Sequence, residues 1–356
     1  MSDTMAPIVG RLPIVSVVIT NYNYSRYVIE AIESVRRQSY KDFHCVIVDD
    51  CSTDNSFKVI TEFLLQVNDD RFRCIRLGKN QGQMGAIKAG FENTSGIFVT
   101  LMDADDLLAE EFLASHLSVH LNSSYSAALS GSDTYQIDSD GRIIECTFHT
   151  LVKHRSNIPG GPIKPIRSEE LAIIDGNTLT FPHRDLNLLA CYIDRQFDGW
   201  HVVAMSSLMF RRDVLEFIMP TKSEALRICA DFYLVTFAHA IGGTLTISKN
   251  LSFFRLHRRN NFSFHPALGG PHSPGFFPEE HRRRILREIA RHVISNYDRI
   301  SPSIGRGLCK NLIRKGIPRH QMFRETKGVP NVRALFGSPK VFRLKYGVLY
   351  PLLKRA

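Results

Sequence analysis

Ile14-Val-Ser-Val-Val-Ile-Thr20 is an almost unbroken run of β-branched residues that ends in the polar stretch Asn21-Tyr-Asn-Tyr24. A strand apolar on both faces has neither face in water, so it belongs inside a parallel sheet covered by helices. Reading outward, Arg26 to Gln38 places Val28, Ile32 and Val35 at helical spacing. Strand-like and helix-like segments then alternate: a strand from Phe43 to Val48, a helix from about Asn55 to Val67 and a strand from Phe72 to Leu77. A helix from about Gln83 to Glu92 and the strand Ile97 to Met102 follow. This alternation predicts an α/β fold, a doubly wound, mostly parallel sheet. In such sheets ligands bind beyond the carboxyl ends of the strands, where strand order reverses.

Two strand ends are acidic. Phe43-His-Cys-Val-Ile-Val stops at Asp49-Asp50, and Val99-Thr-Leu-Met stops at Asp103-Ala-Asp-Asp106. Carboxylates crowded this closely repel one another and suit a divalent cation. A second reading makes Asp105 or Asp106 the cap of a helix running to Leu121. Two strands ending in carboxylates suggest one shared site.

Composition sets outer limits. The chain has 356 residues with 44% hydrophobic content, enough for one large globular domain with an extension. No run approaches the roughly 18 apolar residues of a membrane span, and residues 1–12 lack the apolar core of a signal peptide, so a cytoplasmic protein is expected. Seven dispersed cysteines with no CxxC pair indicate neither a disulfide framework nor a zinc site. The net charge of +10 is uneven, since Arg282 to Arg355 is dense in Lys and Arg.

Later segments are read more coarsely. Glu111 to Leu121 predicts a helix and Ala127 to Ser132 a strand. Gly141 to Trp200 shows no sustained periodicity and is read as an insertion contacting a second substrate, with Pro159-Gly-Gly-Pro162 as a breaker. Met205 to Phe210 predicts a strand, followed by helices near Arg212 and from Asp231 to Ala240, and strands over Thr244 to Ile247 and Leu251 to Phe254.

Four blocks, in this order, resemble the family-2 inverting glycosyltransferases of the GT-A fold. They are Ser16 to Asn23 with Ala31 to Gln38; Val48-Asp-Asp-Cys-Ser-Thr-Asp54; Asn80-Gln-Gly82 with Ala86 and Gly90; and Met102 to Asp106. The resemblance is strong from Ile14 to Asp106, moderate from Ser206 to Ser263 and absent beyond about residue 270. It implies a GT-A domain over 1–270, with a nucleotide-binding half over 13–106 and an acceptor-side half over 107–270. A basic, mostly helical extension over 271–356 follows. Cys51 stands where the family has Gly; because Cys disfavours positive φ, a slightly different loop is expected.

The resemblance also implies roles. Asp105 is the expected ligand of Mn²⁺ or Mg²⁺, with Asp103 nearer the ribose or the outer sphere of the ion and Asp106 left as a cap. Thr20, Tyr22, Asp49 and Asp50 would bind the donor at its base; a UDP-sugar is favoured, although guanine also offers donors to a carboxylate. Gln83 and Lys88 follow in the next loop and helix and are placed with the donor, Lys88 competing with a solvated helix face. Inversion needs a base for the acceptor hydroxyl, and Asp231 in Ile228-Cys-Ala-Asp-Phe-Tyr-Leu234 matches it, although Ala230 replaces the usual first acid; capping the helix through Phe237 is the competing role, and one residue could do both. In Phe254-Arg-Leu-His-Arg-Arg-Asn-Asn-Phe-Ser263, His257 would complete the metal shell and Arg255 would assist diphosphate charge. Trp200 and His201 are candidates to stack on a sugar ring, with a core Trp as the equal alternative.

These expectations describe an inverting, metal-dependent hexosyltransferase. It would move sugar from a nucleoside diphosphate donor to a glycan or lipid-linked acceptor in surface polysaccharide or glycolipid synthesis. The alternative is a non-catalytic nucleotide-sugar-binding partner. The basic face of Arg282, Arg283, Arg284, Arg287 and Arg291, and the aromatic and cationic stretch Val341 to Lys354, suit an anionic membrane surface. Packing on the protein itself competes with that reading. No nucleic-acid-binding motif is present.

Overall fold

The computed structural model describes residues 12–145, 163–166, 173–175, 178–180, 190–197, 202, 204–222, 224–258, 260 and 279–337. Contacts divide the chain into two compact units. One comprises 1–80, 86–212 and 242–255; the other comprises 81–85, 213–241 and 256–356.

The first unit opens as the periodicity predicts. β1 (Val15–Asn21), α1 (Val28–Arg36), β2 (Phe43–Asp49), α2 (Ser56–Val67), β3 (Phe72–Arg76), α3 (Gly82–Glu92) and β4 (Phe98–Asp103) alternate in order. Every residue of β1 is buried, as its two-sided apolar run requires. α1 buries Val28, Ala31, Ile32 and Val35, and each large apolar side chain so buried contributes roughly 1.5–3 kcal/mol. α3 lies close on the sheet at Gly90, where an added Cβ would collide with Val18 and approach Val48 to 3.0 Å.

Next come β5 (Leu107–Leu108), α4 (Phe112–Asn122), β6 (Leu129–Ile137), β7 (Ile143–Glu145), β8 (Ile163–Ile166), β9 (Ile173–Asp175), β10 (Thr178–Thr180) and β11 (Ala190–Ile193). A 3₁₀ turn (Met205–Ser207) leads into β12 (Leu208–Arg211), α5 (Arg212–Ile218) and α6 (Ala230–Gly242), and β13 (Thr244–Arg255) returns to the sheet. The main sheet runs β3-β2-β1-β4-β12-β6-β13-β11-β8, with β5 on β13 and β7 on β6; β9 and β10 form a separate ribbon. β3, β2, β1 and β4 are mutually parallel, as are β6 and β13, while β12 is antiparallel to both β4 and β6.

Three expectations change. Residues 107–108 form a strand rather than the start of a helix, because Leu107 and Leu108 pair with Phe253 and Ser252 of β13. The Leu108 N–H also donates to the Ser34 hydroxyl at 3.1 Å. α4 therefore starts only at Phe112, and Asp105 and Asp106 do not cap it. The two short strands expected over 244–254 are one strand, β13, with register irregularities between Ile247 and Ser252. Within the segment 141–200, β8 and β11 extend the main sheet; Trp200 and His201 lie outside the described residues.

The second unit is helical. α7 (Glu279–Ser295), α8 (Tyr297–Ile304), α9 (Arg306–Gly316), α10 (Arg319–Glu325) and α11 (Pro330–Ala334) follow α5 and α6. α7 buries Ile285, Ile289 and Val293 at helical spacing and meets α9 so closely at Gly316 that a Cβ there would strike the Leu286 carbonyl. The stretch Val341 to Lys354 lies outside the described residues. No described helix is long and apolar enough to cross a membrane.

Candidate functional site

In the first unit strand order reverses between β1 and β4. β2 and β3 lie on one side of β1 and β4 on the other, which is where an open sheet binds its ligand. Register places Thr20 beside Asp103 on one side and Val48 on the other, with Asn21 beside Asp49. The two acidic strand ends are thus neighbours across β1.

Their carboxylates have different surroundings. Asp49 is fully buried, accepting from the Asn21 amide at 3.0 Å and the Ser52 backbone N–H at 3.1 Å, with the Arg76 guanidinium 3.4 Å away. That carboxylate organises the loop. Asp50 is buried; its N–H donates to the Asn21 carbonyl at 2.8 Å, and its carbonyl accepts from Asn80 at 3.3 Å. Cys51 takes the left-handed conformation itself, at φ 60°, so the loop keeps the shape glycine would have and the residue bears the strain.

Beyond β4 the three acids divide. Asp103 accepts from the Thr20 hydroxyl at 3.2 Å, and its backbone N–H donates to the Ser206 hydroxyl at 3.1 Å. Asp105 accepts a hydrogen bond from the Tyr24 phenol. Asp106 is buried, accepting from the Arg255 backbone N–H at 3.0 Å and from the Ser206 hydroxyl. Burial first, then the charges of Asp105 and Asp103, pushes its carboxyl well above the usual carboxylate range. The Tyr24 phenol is likewise raised, by burial and then by the fields of Asp105, Asp103 and Asp106. Tyr22, two residues earlier, is 44% exposed.

α1 organises the segment that follows. Besides Ser34, Gln38 donates to the Ala109 carbonyl at 2.7 Å and accepts from the Leu113 N–H at 3.0 Å. Arg255, at the end of β13, is only 1% exposed and directs its guanidinium inward. Its Nε donates to the Asp105 carbonyl at 2.8 Å, one terminal nitrogen to Glu30 at 2.7 Å and the other to the Ser139 carbonyl at 3.5 Å. Lys88, on α3, lies 3.9 Å from Glu92 with a side chain 31% exposed.

The second unit contains Gln83, Asp231 and His257. Asp231 sits in the first turn of α6. Loss of water around it raises its carboxyl above the ordinary value, against the lowering effect of backbone N–H groups at the helix start. Gln83 holds that start in place: its side-chain oxygen accepts from the Ala230 N–H at 3.1 Å, and its own N–H donates to the Arg227 carbonyl at 2.8 Å. The His257 N–H donates to Asn260 at 2.5 Å.

Residues 16–168 match the sequence model of glycosyl transferase family 2. An uncharacterised glycosyltransferase of Nostoc sp. is 34% identical over 253 residues, covering 69% of this chain and 66% of the relative. The chain belongs to glycosyl transferase family 2. This family member is also 25% identical over 258 residues to the succinoglycan biosynthesis protein ExoO of Rhizobium meliloti, covering 72% of the chain and 64% of ExoO. The chain thus spans at most two thirds of the length of these curated relatives. Among solved structures, residues 1–349 of S. aureus TarS in complex with UDP-GlcNAc superpose with a TM-score of 0.52. The match has 16% identity and covers 96% of this chain and 86% of that one, a likeness of fold alone. The fold is GT-A, with a helical C-terminal region.

Sequence reasoning passed over Ser206, Tyr24 and Glu30 as individual side chains. Tyr24 was visible as part of a strand-end loop. Glu30 reads in sequence as a solvated helix face, and nothing in it signals Arg255.

Proposed function

We propose that this family-2 chain is an inverting hexosyltransferase that moves a sugar from a nucleoside diphosphate sugar, a UDP-sugar favoured, to a glycan or lipid-linked acceptor. Surface polysaccharide or glycolipid synthesis is the setting. The observation that carries the reading is the pair Asp103 and Asp105 at the strand-order reversal, with Thr20 against Asp103.

The donor set suits a hard divalent ion. It consists of the carboxylate oxygens of Asp103 and Asp105, whose charges come second to burial in raising Tyr24 and Asp106. No three His, Cys, Asp or Glu side chains form a complete metal cage among the described residues, so phosphate oxygens of the donor would finish the shell. Asp105, with Asp103, would hold Mn²⁺ or Mg²⁺, and His257 is the further ligand proposed from the family likeness. When bound, the ion neutralises charge on the diphosphate leaving group.

The protein's own groups supply the rest. Thr20, Tyr22 and Asp50 are proposed to position the nucleoside, while Asp49 keeps their loop in shape. Asp231 is the proposed base: its raised carboxyl is a better proton acceptor than an ordinary aspartate. It would take the acceptor hydroxyl proton as the oxygen attacks the anomeric carbon opposite the departing diphosphate. A panel of nucleotide sugars with Mn²⁺, monitored for slow donor hydrolysis, tests the assignment. Hydrolysis of none would remove it.

Ala230 in place of the family's first acid favours one alternative, a non-catalytic nucleotide-sugar-binding partner. Asp231→Asn separates the two: an enzyme loses transfer and retains donor binding, whereas a binding module has no transfer to lose. Cytoplasmic location and peripheral contact with an anionic membrane complete the proposal.

A further inference from the structure

Among the described residues, Arg255 heads the largest fully buried side chains, and it carries a charge. Removing a guanidinium from water is costly unless every N–H finds a partner and a counter-charge lies close. Here the counter-charge is Glu30, whose own side chain is 54% exposed. The guanidinium also stacks over the Tyr27 ring, with its carbon 4.7 Å from the centroid. Tyr27 in turn packs against Tyr24, their centroids 6.3 Å apart. Tyr24 returns to the start of this circuit, because its phenol donates to the Asp105 carboxylate.

The two ends of one residue are therefore gripped separately. Arg255 Nε holds the Asp105 carbonyl, Tyr24 holds its carboxylate, and the backbone N–H of Arg255 holds neighbouring Asp106. We propose that Arg255, Glu30 and Tyr24 act as positioning residues, a clamp that fixes the orientation of the Asp105 carboxylate for the divalent ion and so sets ion affinity. The inference rests on the reading of Asp105 as a ligand of that ion. It assigns Arg255 to the loop rather than to the diphosphate and gives Glu30 a function. Partners that orient a ligating carboxylate change metal affinity without touching the metal.

The test is Mn²⁺ binding by the full chain in the presence of UDP, followed through loss of the free-ion electron paramagnetic resonance signal, with melting temperatures in parallel. Tyr24→Phe and Glu30→Ala should each weaken Mn²⁺ binding by about 10- to 100-fold, and Glu30→Gln, which keeps an acceptor for Arg255, should recover most of the loss. Asp105→Asn should abolish binding. If Tyr24→Phe and Glu30→Ala bind Mn²⁺ as the wild type does while Asp105→Asn does not, the clamp is overturned and the role of Asp105 stands. If Asp105→Asn binds normally, or the wild type does not bind at all, the ligand reading falls and the clamp with it. Should Glu30→Ala fail to fold, Tyr24→Phe decides alone, since it removes only the phenol hydroxyl.

Discussion

Acids of one residue type take different roles here because their partners differ. Asp106 is buried against a backbone N–H and a serine hydroxyl, whereas Asp105 meets a phenol through its carboxylate and an arginine through its carbonyl. Asp105→Asn is expected to lower transfer by on the order of 10²–10³-fold, the scale on which one preorganised charge contact acts, measured as initial rate with Mn²⁺. For Asp231 the direction of its shift fixes the pH behaviour. As the proposed base Asp231 works only when ionised, so activity should decline on acidification at a pH above the ordinary aspartate range, and Asp231→Asn should lose about 10²–10⁴-fold in rate. Stability runs the other way: the folded chain binds this proton more tightly than the unfolded chain, so the contribution is fully present below the unfolded value and lost as pH rises through the raised one. Asp231→Asn should therefore melt higher than wild type at neutral pH. Calorimetry at pH 7 checks this.

At the scale of elements, four described non-glycine residues have positive φ, Asn23, Cys51, Asn68 and Cys229, and the two cysteines both lie at 60°. Cys229 precedes the proposed base Asp231 by two residues, and backbone strain recurs at active sites. Cys51→Gly should stabilise the chain by about 0.5–1 kcal/mol, the relief of the left-handed conformation less the added freedom of glycine when unfolded, read by chemical denaturation. Gly82 is the opposite case. It has φ 77°, and a Cβ there would lie 2.8 Å from Arg227 backbone atoms, so Gly82→Ala should cost about 1–2 kcal/mol and impair turnover by displacing the Gln83 cap of α6. The existence and order of the early elements were legible because strand and helix periods leave one-dimensional patterns. Boundaries were less so: residues 107–108 became strand through pairing with Ser252 and Phe253, partners that no local pattern reveals.

For the whole molecule, the excess of ten positive charges is concentrated in the helical unit. The α7 residues Arg282 and Arg283 are exposed. Flotation with anionic vesicles should show binding that weakens as salt rises, and replacing both arginines by serine should cost about 1 kcal/mol each. No flotation at low salt would remove the membrane proposal. The sequence by itself determined the doubly wound sheet, the acidic strand ends and the family, because all three are written in short contiguous runs. Only the tertiary structure decided how those acids divide, that Arg255 faces Glu30 across 225 positions, and that Gln83 caps a helix 147 residues later. Hydrogen-bond partners and burial are properties of neighbours in space, and residues this distant become neighbours only when the chain folds.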